Sequence, residues 1–206
     1  MLPRLIGIVG KARSGKTTVA EYLRDKYDYT IISCADPLKQ LCVEALKNNP
    51  PPRIDAIVLT PGAWHTSVYT HRTPFTRWLL QFVGTDIGRA LDQNIWVDKL
   101  REVISQQVLT HAVVVPDVRF QNEASCILAM GGNIWRTLRT DNGEVVEHGA
   151  DHASEREQEN IEADFTIEVP SGVAQVHAGV DWKAQDMSGR LGKYSCGEIH
   201  GKESTD

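Results

Sequence analysis

No apolar run in this chain of 206 residues approaches the roughly 20 consecutive residues that a membrane-spanning helix needs. The N-terminus also enters an apolar strand pattern too soon for a secretory leader. Cysteine is scarce: Cys34, Cys42, Cys126 and Cys196 lie far apart and form no C-x-x-C pair, which speaks against a zinc site and offers no disulfide framework. Buried thiols in a reducing compartment are expected, and with them a cytoplasmic location. Positive charge is short as well. Lys and Arg total 22 against 27 Asp and Glu, a formal charge of −5, so the surface lacks a basic footprint for general nucleic-acid binding. A small anion would have to be held by a local cluster. Internal repeats are absent. With 41% hydrophobic and 24% charged residues, the chain is ordinary for a globular protein with one full core and too short for two comfortable α/β domains.

What the sequence does have is Gly10-Lys11-Ala12-Arg13-Ser14-Gly15-Lys16-Thr17, set between the apolar run Leu5-Ile6-Gly7-Ile8-Val9 and a helix-compatible run from Thr18 to Lys26. The spacing G-x-x-x-x-G-K-T reads as a phosphate-binding loop. Its glycines let successive backbone N–H groups curl around an anionic oxygen, and the helix that follows points its positive dipole end at the same place. Lys16 would then sit on the β- and γ-phosphates and the Thr17 hydroxyl on Mg²⁺.

Along the chain, residues 4–9 read as a strand covered on both faces, and residues 16–27 as a helix with Val19, Ala20, Leu23 and Tyr27 at helical spacing. Tyr29 to Cys34 is a second β-rich run. Asp36 as N-cap and Pro37 as first helical residue then start a helix that reaches about Leu46. Capping alone accounts for Asp36; the alternative is that Asp36 and Lys39, just past a strand's carboxyl end, face a ligand crevice. Residues 48–74, with Pro50-Pro51-Pro52, Pro61-Gly62, His65 and His71, read as an arm inserted into the domain. A helix starts at Thr73-Pro74 with an apolar stripe of Trp78, Leu79, Phe82 and Val83, and another spans Asn94 to about Val108. Between them, Gly84 and Gly88 flank Thr85, Asp86 and Arg89 and break the helical pattern. Either this is a plain break or the glycines let the backbone approach a ligand.

His111 to Val115 is a strand that ends in Pro116-Asp117-Val118-Arg119. In a protein with a phosphate loop, an acid at that end holds Mg²⁺ or its water, and an arginine nearby reaches a phosphate. The plainer alternative is a turn in which Asp117 caps a helix and Arg119 pairs with Glu123. Asn122 to Met130 reads as a helix closed by Gly131-Gly132, and Asn133 to Leu138 as a fourth strand with Arg136 and Arg139 near its end. Residues 140–162 are highly charged, contain the turn signal Asp141-Asn142-Gly143 and have the composition of a lid. His148, Asp151 and His152 lack a further ligand at fixed spacing, so a solvated face is expected there rather than a metal site. Asp164 to Val169 is the fifth strand, followed by Pro170-Ser171-Gly172, and from about His177 the chain reads as a weakly structured tail. The resulting expectation is an α/β domain over residues 1–176, with the arm at about 48–92, the lid at about 140–162 and the tail at 177–206.

These motifs resemble the P-loop nucleoside monophosphate kinase group, and more closely the bacteriophage deoxynucleoside monophosphate kinases. The resemblance rests on the phosphate loop, on Ala35-Asp36-Pro37-Leu38-Lys39, and on Arg77-x-x-Leu80-Gln81-x-x-Gly84-Thr85-Asp86-x-x-Arg89 followed by Trp96-Val97. It rests further on Asp117-Val118-Arg119-Phe120-x-Asn122-Glu123 and on His152-Ala153-Ser154-Glu155. It covers about residues 5–172. The phosphate loop specifies only the superfamily, while the two central motifs are more specific. The resemblance implies a three-layer α/β/α P-loop NTPase fold with a five-stranded parallel sheet of order 2-3-1-4-5, an arm that binds the monophosphate, and a lid.

The implied activity is transfer of the γ-phosphoryl group of ATP to a deoxynucleoside 5′-monophosphate, with Mg²⁺. Ala12, Arg13, Ser14, Gly15, Lys16, Thr17, Thr18 and Arg136 would hold ATP, with Gly172 near its adenine. Lys16, Arg13, Asp117, Arg119 and Arg139 would serve the transfer, and Thr17 and Asp117 the metal. Asp36, Lys39, Arg77, Gln81, Thr85, Asp86, Arg89 and Trp96 would receive the acceptor, with Phe82 or Trp96 available to stack on its base. If the chain is phage-encoded, the host cytoplasm is its location. Two alternatives stay open: a kinase of another small acceptor such as dephospho-coenzyme A, and a regulatory P-loop ATPase. The sequence leaves open which bases are accepted and whether the chain pairs with itself.

Overall fold

The computed structural model describes residues 2–48, 68–69, 74–141, 144–145, 157–169 and 173–186. They fall into two compact units, one formed by the chain up to Ile32 and from Gln106 onward, the other by Ser33–Ser105. In chain order the main helices are α1 (Lys16–Tyr27), α2 (Asp36–Asn48), α3 (Pro74–Gln81), α4 (Ile95–Gln107), α5 (Gln121–Ala129) and α6 (Val173–Asp186). The strands are β1 (Leu5–Val9), β2 (Tyr29–Ile31), β3 (Ala112–Val115), β4 (Asn133–Asp141), β5 (Glu144–Val145) and β6 (Phe165–Val169).

The larger unit is built on β1. All five of its residues are buried, as a continuous apolar run requires when both faces of a parallel sheet are covered. It pairs in parallel with β3 on one side and β4 on the other; β2 lies outside β3, and β6 outside β4. Counting the parallel strands in chain order, the arrangement is 2-3-1-4-5, as the resemblance implied, with β6 as the fifth. Ile6, Ile8, Trp135, Ile167 and Val169 on one face pack with Val19, Ala20 and Leu23 of α1 and Val176 and Val180 of α6. On the other face α5 comes so close that a Cβ at Gly7 would stand 2.7 Å from the Ile127 methyl. The result is a three-layer α/β/α unit.

Several boundaries depart from the sequence-based expectation. β2 stops at Ile31, because after the Ile32 amide bonds the Val114 carbonyl the chain turns at Ser33 to start α2. β4 continues to Asp141 and folds back antiparallel onto β5, with Thr140 opposite Val145, in keeping with the turn signal between them. The tail reading from His177 fails as far as Asp186. α6 is helical there, with Val176 and Val180 buried at i, i+4; Gly179 and Asp181 obscured the spacing. Most of the proline-rich arm (49–67, 70–73), much of the lid (142–143, 146–156), the Pro170-Ser171-Gly172 loop and residues 187–206 lie outside the described residues.

In the smaller unit, Val43, Leu46 and Val68 form a core against which Tyr69, Phe75, Leu79 and Leu80 pack. The expected apolar stripe of α3 is therefore only partly right. Leu79 faces this core, whereas Trp78 and Phe82 are exposed and stack on each other with ring centroids 5.2 Å apart.

Asp181 of α6 ties the outer helices of the larger unit together. Its carboxylate accepts hydrogen bonds from Tyr22 (2.9 Å), Tyr27 (2.8 Å) and Lys26 (2.6 Å), all on α1. Burial pulls its pKa upward, but these three donors outweigh that and hold it below the ordinary carboxylate value. Burial and the facing carboxylate push the Tyr27 hydroxyl up to about 12. Asp181→Ala is expected to cost about 1–2 kcal/mol of stability at neutral pH. Because the folded pKa is depressed, that contribution is present above the unfolded value and fades as pH falls through the folded one. Denaturant titrations of both proteins at pH 7 and below pH 4 check this, and a gap that persists unchanged in acid would refute it.

Candidate functional site

The phosphate loop joins the carboxyl end of β1 to the N-terminus of α1. Gly15 is the N-cap of α1 at φ 93°, supplies no side-chain cap, and is followed by a first turn without an acid. The helix thus brings no anion of its own to its positive end, a local arrangement suited to phosphate. Arg13, a non-glycine residue, adopts φ 64°, a conformation that costs energy and marks a loop held in shape by its surroundings. Lys16 donates through Nζ to the carbonyls of Gly10 and Lys11 (2.7 Å for the latter), across the concave side of the loop. Ser14 is buried and shares a 2.7 Å hydrogen bond with Thr137 of β4. Ala12, Arg13 and Thr17 are exposed, and Thr18 is half-buried.

Strand register brings the expected partners to the same edge. Val9, next to the loop, pairs with Arg136, and Gly7 pairs with Val115, two residues before Asp117. Asp117 is half-buried and Arg119 exposed. The plainer alternative, Arg119 paired with Glu123, takes a main-chain form. The buried Glu123 carboxylate accepts the main-chain N–H groups of Arg119 (2.8 Å) and Phe120 (3.2 Å) at the start of α5. Arg139 sits opposite Val169 of β6.

A cavity of about 210 Å³ opens beside the loop, lined by Gly10, Lys11 and Ser14, by Arg136 and Arg139 of β4, and by Gln158 and Glu159. Three cationic side chains face one carboxylate there, and Glu159 is already paired with Lys11 at 2.9 Å. The balance favours an anion. Residues 157–161 end the stretch read as a lid; the solvated face expected at His148, Asp151 and His152 lies outside the described residues. Gln158 and Ile161 are buried, and the Gln158 side chain accepts the Gly10 N–H at 3.4 Å. Arg136 donates to the Gln158 carbonyl (3.3 Å) and to that of Ile161, and Glu157 accepts the Gln121 N–H. Thr137, Gln158, Glu159 and Lys11 are thus site residues that sequence reasoning missed. Thr137 left a faint signal as a polar residue within an apolar strand; the others lay in a charged stretch without period. Gly172 is outside the described residues.

The expected acceptor residues all belong to the smaller unit. α2 begins at Asp36 rather than after it, with the Ala35 carbonyl accepting the Lys39 N–H. Asp36 is accordingly not the cap. Its carboxylate accepts the Ser33 N–H at 3.0 Å and pairs with the buried Lys39 at 2.8 Å; Lys39 also lies over the Tyr69 ring. After α3 the chain does not break at its glycines. It continues as a π-helical segment, Phe82–Arg89, a form common at functional sites. The glycines serve packing: a Cβ at Gly84 would lie 2.6 Å from Leu38, and one at Gly88 2.8 Å from the Trp96 ring. Trp96 donates its indole N–H to the Gly84 carbonyl at 2.9 Å, so it clamps this segment. Arg77, Gln81, Thr85 and Asp86 are exposed, and Arg89 is half-buried with a 3.4 Å bond to the Gln93 carbonyl.

The two residues expected to serve Mg²⁺ offer hard oxygen: the Thr17 hydroxyl on the first turn of α1 and the Asp117 carboxylate just past β3. Mg²⁺ suits such a sparse set because it keeps several waters and takes few protein ligands beside phosphates. Among the described residues no group of three or more His, Cys, Asp or Glu side chains is placed to hold a metal ion. No described helix is long and apolar enough to cross a membrane.

No family model matches the chain. It is similar to a protein of Acanthamoeba polyphaga mimivirus described as "putative deoxynucleotide monophosphate kinase", with 36% identity over 146 residues, 62% of this chain and 70% of the viral protein. Two solved structures are more distant. A dephospho-CoA kinase from Campylobacter jejuni is 14% identical, with a TM-score of 0.46 over 89% of this chain and 97% of its own. A sugar kinase from Janibacter is also 14% identical, with a TM-score of 0.44 over 92% and 99%.

Proposed function

The chain belongs to the same family as that mimivirus protein, the deoxynucleotide monophosphate kinases, and from this we propose that it phosphorylates deoxynucleoside 5′-monophosphates with ATP. What supports the donor half is the cavity on the loop edge lined by Lys11, Arg136 and Arg139, with Lys16 held in the same loop by the Lys11 carbonyl. An oxygen of the acceptor's phosphate forms the new bond to the γ-phosphorus as the bond to the β-phosphate oxygen breaks, and ADP leaves. Such transfer passes through a loose transition state that asks for positioning and charge neutralisation rather than a covalent nucleophile. Residues Ala12–Thr18 hold the donor phosphates with their amides, and Arg13, Arg119, Arg136 and Arg139 neutralise charge around the transferred group. Thr17 and Asp117 would hold Mg²⁺, which would neutralise the β- and γ-oxygens when bound. On the smaller unit, Asp36 sets the position of Lys39, and Arg77 and Arg89 take the acceptor's phosphate. Gln81, Thr85 and Asp86 are its polar partners for sugar and base.

The test is ADP release from ATP, followed by a coupled assay with each of the four deoxynucleoside monophosphates, their ribose counterparts and dephospho-coenzyme A. Turnover only with deoxynucleotides supports the proposal. Turnover with dephospho-coenzyme A alone, or ATP hydrolysis independent of any acceptor, overturns it in favour of a different kinase or an ATPase. Arg89→Ala is expected to raise the acceptor KM about tenfold or more and leave the ATP KM near the wild-type value. An effect on the ATP KM alone would displace the acceptor from this segment.

A further inference from the structure

Gln158 is 4% exposed, and burying an amide of this kind without partners is costly. One half of it is accounted for. The Gly10 N–H can only donate, so the side-chain atom 3.4 Å away is the oxygen. The nitrogen, with two hydrogens to give, finds no acceptor among the described residues, and the side chain lines the cavity with Arg136, Arg139 and Lys11. A donor placed among cations at the edge of a phosphate loop matches a ligand that is anionic and offers oxygen acceptors. Gln158 is also tied to both sides of that cavity, since its main-chain carbonyl accepts from Arg136.

We propose that Gln158 is a nucleotide-binding residue whose side-chain nitrogen donates to the terminal phosphate of a bound nucleoside triphosphate, so that it distinguishes ATP from ADP. Its oxygen meanwhile fixes the first amide of the loop. This rests on the donor half of the function proposed above and is independent of which acceptor is used. A residue that only braced the loop would affect all nucleotides alike, whereas a donor to the γ-phosphate acts on the triphosphate alone.

The experiment is calorimetric titration of wild type, Gln158→Met and Gln158→Glu with ADP and with the non-hydrolysable β,γ-methylene analogue of ATP, in the presence of Mg²⁺. In Gln158→Met the affinity for the analogue relative to ADP is expected to fall about tenfold, the scale of a hydrogen bond to a charged group. Gln158→Glu keeps an acceptor for Gly10 but puts a negative charge where the donor stood. Its affinity for the analogue relative to ADP is expected to fall by about a hundredfold. An unchanged ratio in either variant overturns the proposal; should Gln158→Met fail to fold, the glutamate variant decides on the same ratio. Wild type that binds neither nucleotide overturns the donor reading as well. Wild type that binds both and phosphorylates no deoxynucleotide removes the acceptor assignment and leaves the role of Gln158 standing.

Discussion

Lys16→Ala is expected to lower kcat/KM for phosphoryl transfer by about 10²–10³-fold, the usual cost of removing one preorganised charge from a phosphoryl-transfer site. The ammonium is held across the loop by the Gly10 and Lys11 carbonyls, so it meets the donor phosphates without reorganising. Those carbonyls are only part-buried and regain water in the variant, which limits the stability cost to about 1 kcal/mol. Lys16→Arg is expected not to rescue activity, because a planar, longer guanidinium cannot present one compact charge inside the same turn. The coupled assay together with thermal unfolding separates the two effects. Retention of a tenth or more of wild-type activity by the alanine variant would mean that this loop is not the donor site.

Among the described glycines, Gly10→Ala should be the most damaging added methyl. Gly10 sits at φ 150°, and a Cβ there would stand 2.6 Å from both the carbonyl and the hydroxyl oxygen of Thr137 and 2.7 Å from the Ser14 hydroxyl. The Thr137 carbonyl belongs to a central strand paired on both sides, so it cannot step aside. Either the loop leaves its phosphate-binding shape or β4 moves. Expected results are a loss of about 2–4 kcal/mol in denaturant unfolding and loss of ADP binding by calorimetry. Gly131→Ala is the control: it too has a positive φ, 77°, yet nothing lies within 4 Å of its Cβ, and its cost should stay near 1 kcal/mol. Equal losses for the two variants would show that backbone angle, rather than crowding against Thr137, sets the penalty at Gly10.

The smaller unit shows how a correct motif can carry an incomplete reason. Gly84 and Gly88 look like breaks that await a ligand, and instead they seat Leu38 and Trp96 inside a continuous π-helical winding. Trp96, a candidate for stacking on a base, spends its N–H on the Gly84 carbonyl. Sequence spacing cannot distinguish backbone room made for a ligand from room made for a neighbouring side chain, since both ask only that Cβ be missing. Asp36 is a similar case. A capping residue and an ion-pair partner have the same side chain, and only the observed start of α2 assigns it to Ser33 and Lys39.

Alone, the sequence determined the strand, loop and helix that open the chain, the apolar run of β3 and the turn after β4, because steric limits on φ and ψ and the period of apolar residues act over a few neighbours. Tertiary structure decided what surrounds the phosphate loop. Gln158 reaches Gly10 across 148 positions of chain and Thr137 reaches Ser14 across 123. Those encounters depend on β4 lying beside β1 and on residues 157–161 returning over the loop, which follow from how the whole sheet buries its apolar faces and from no local pattern.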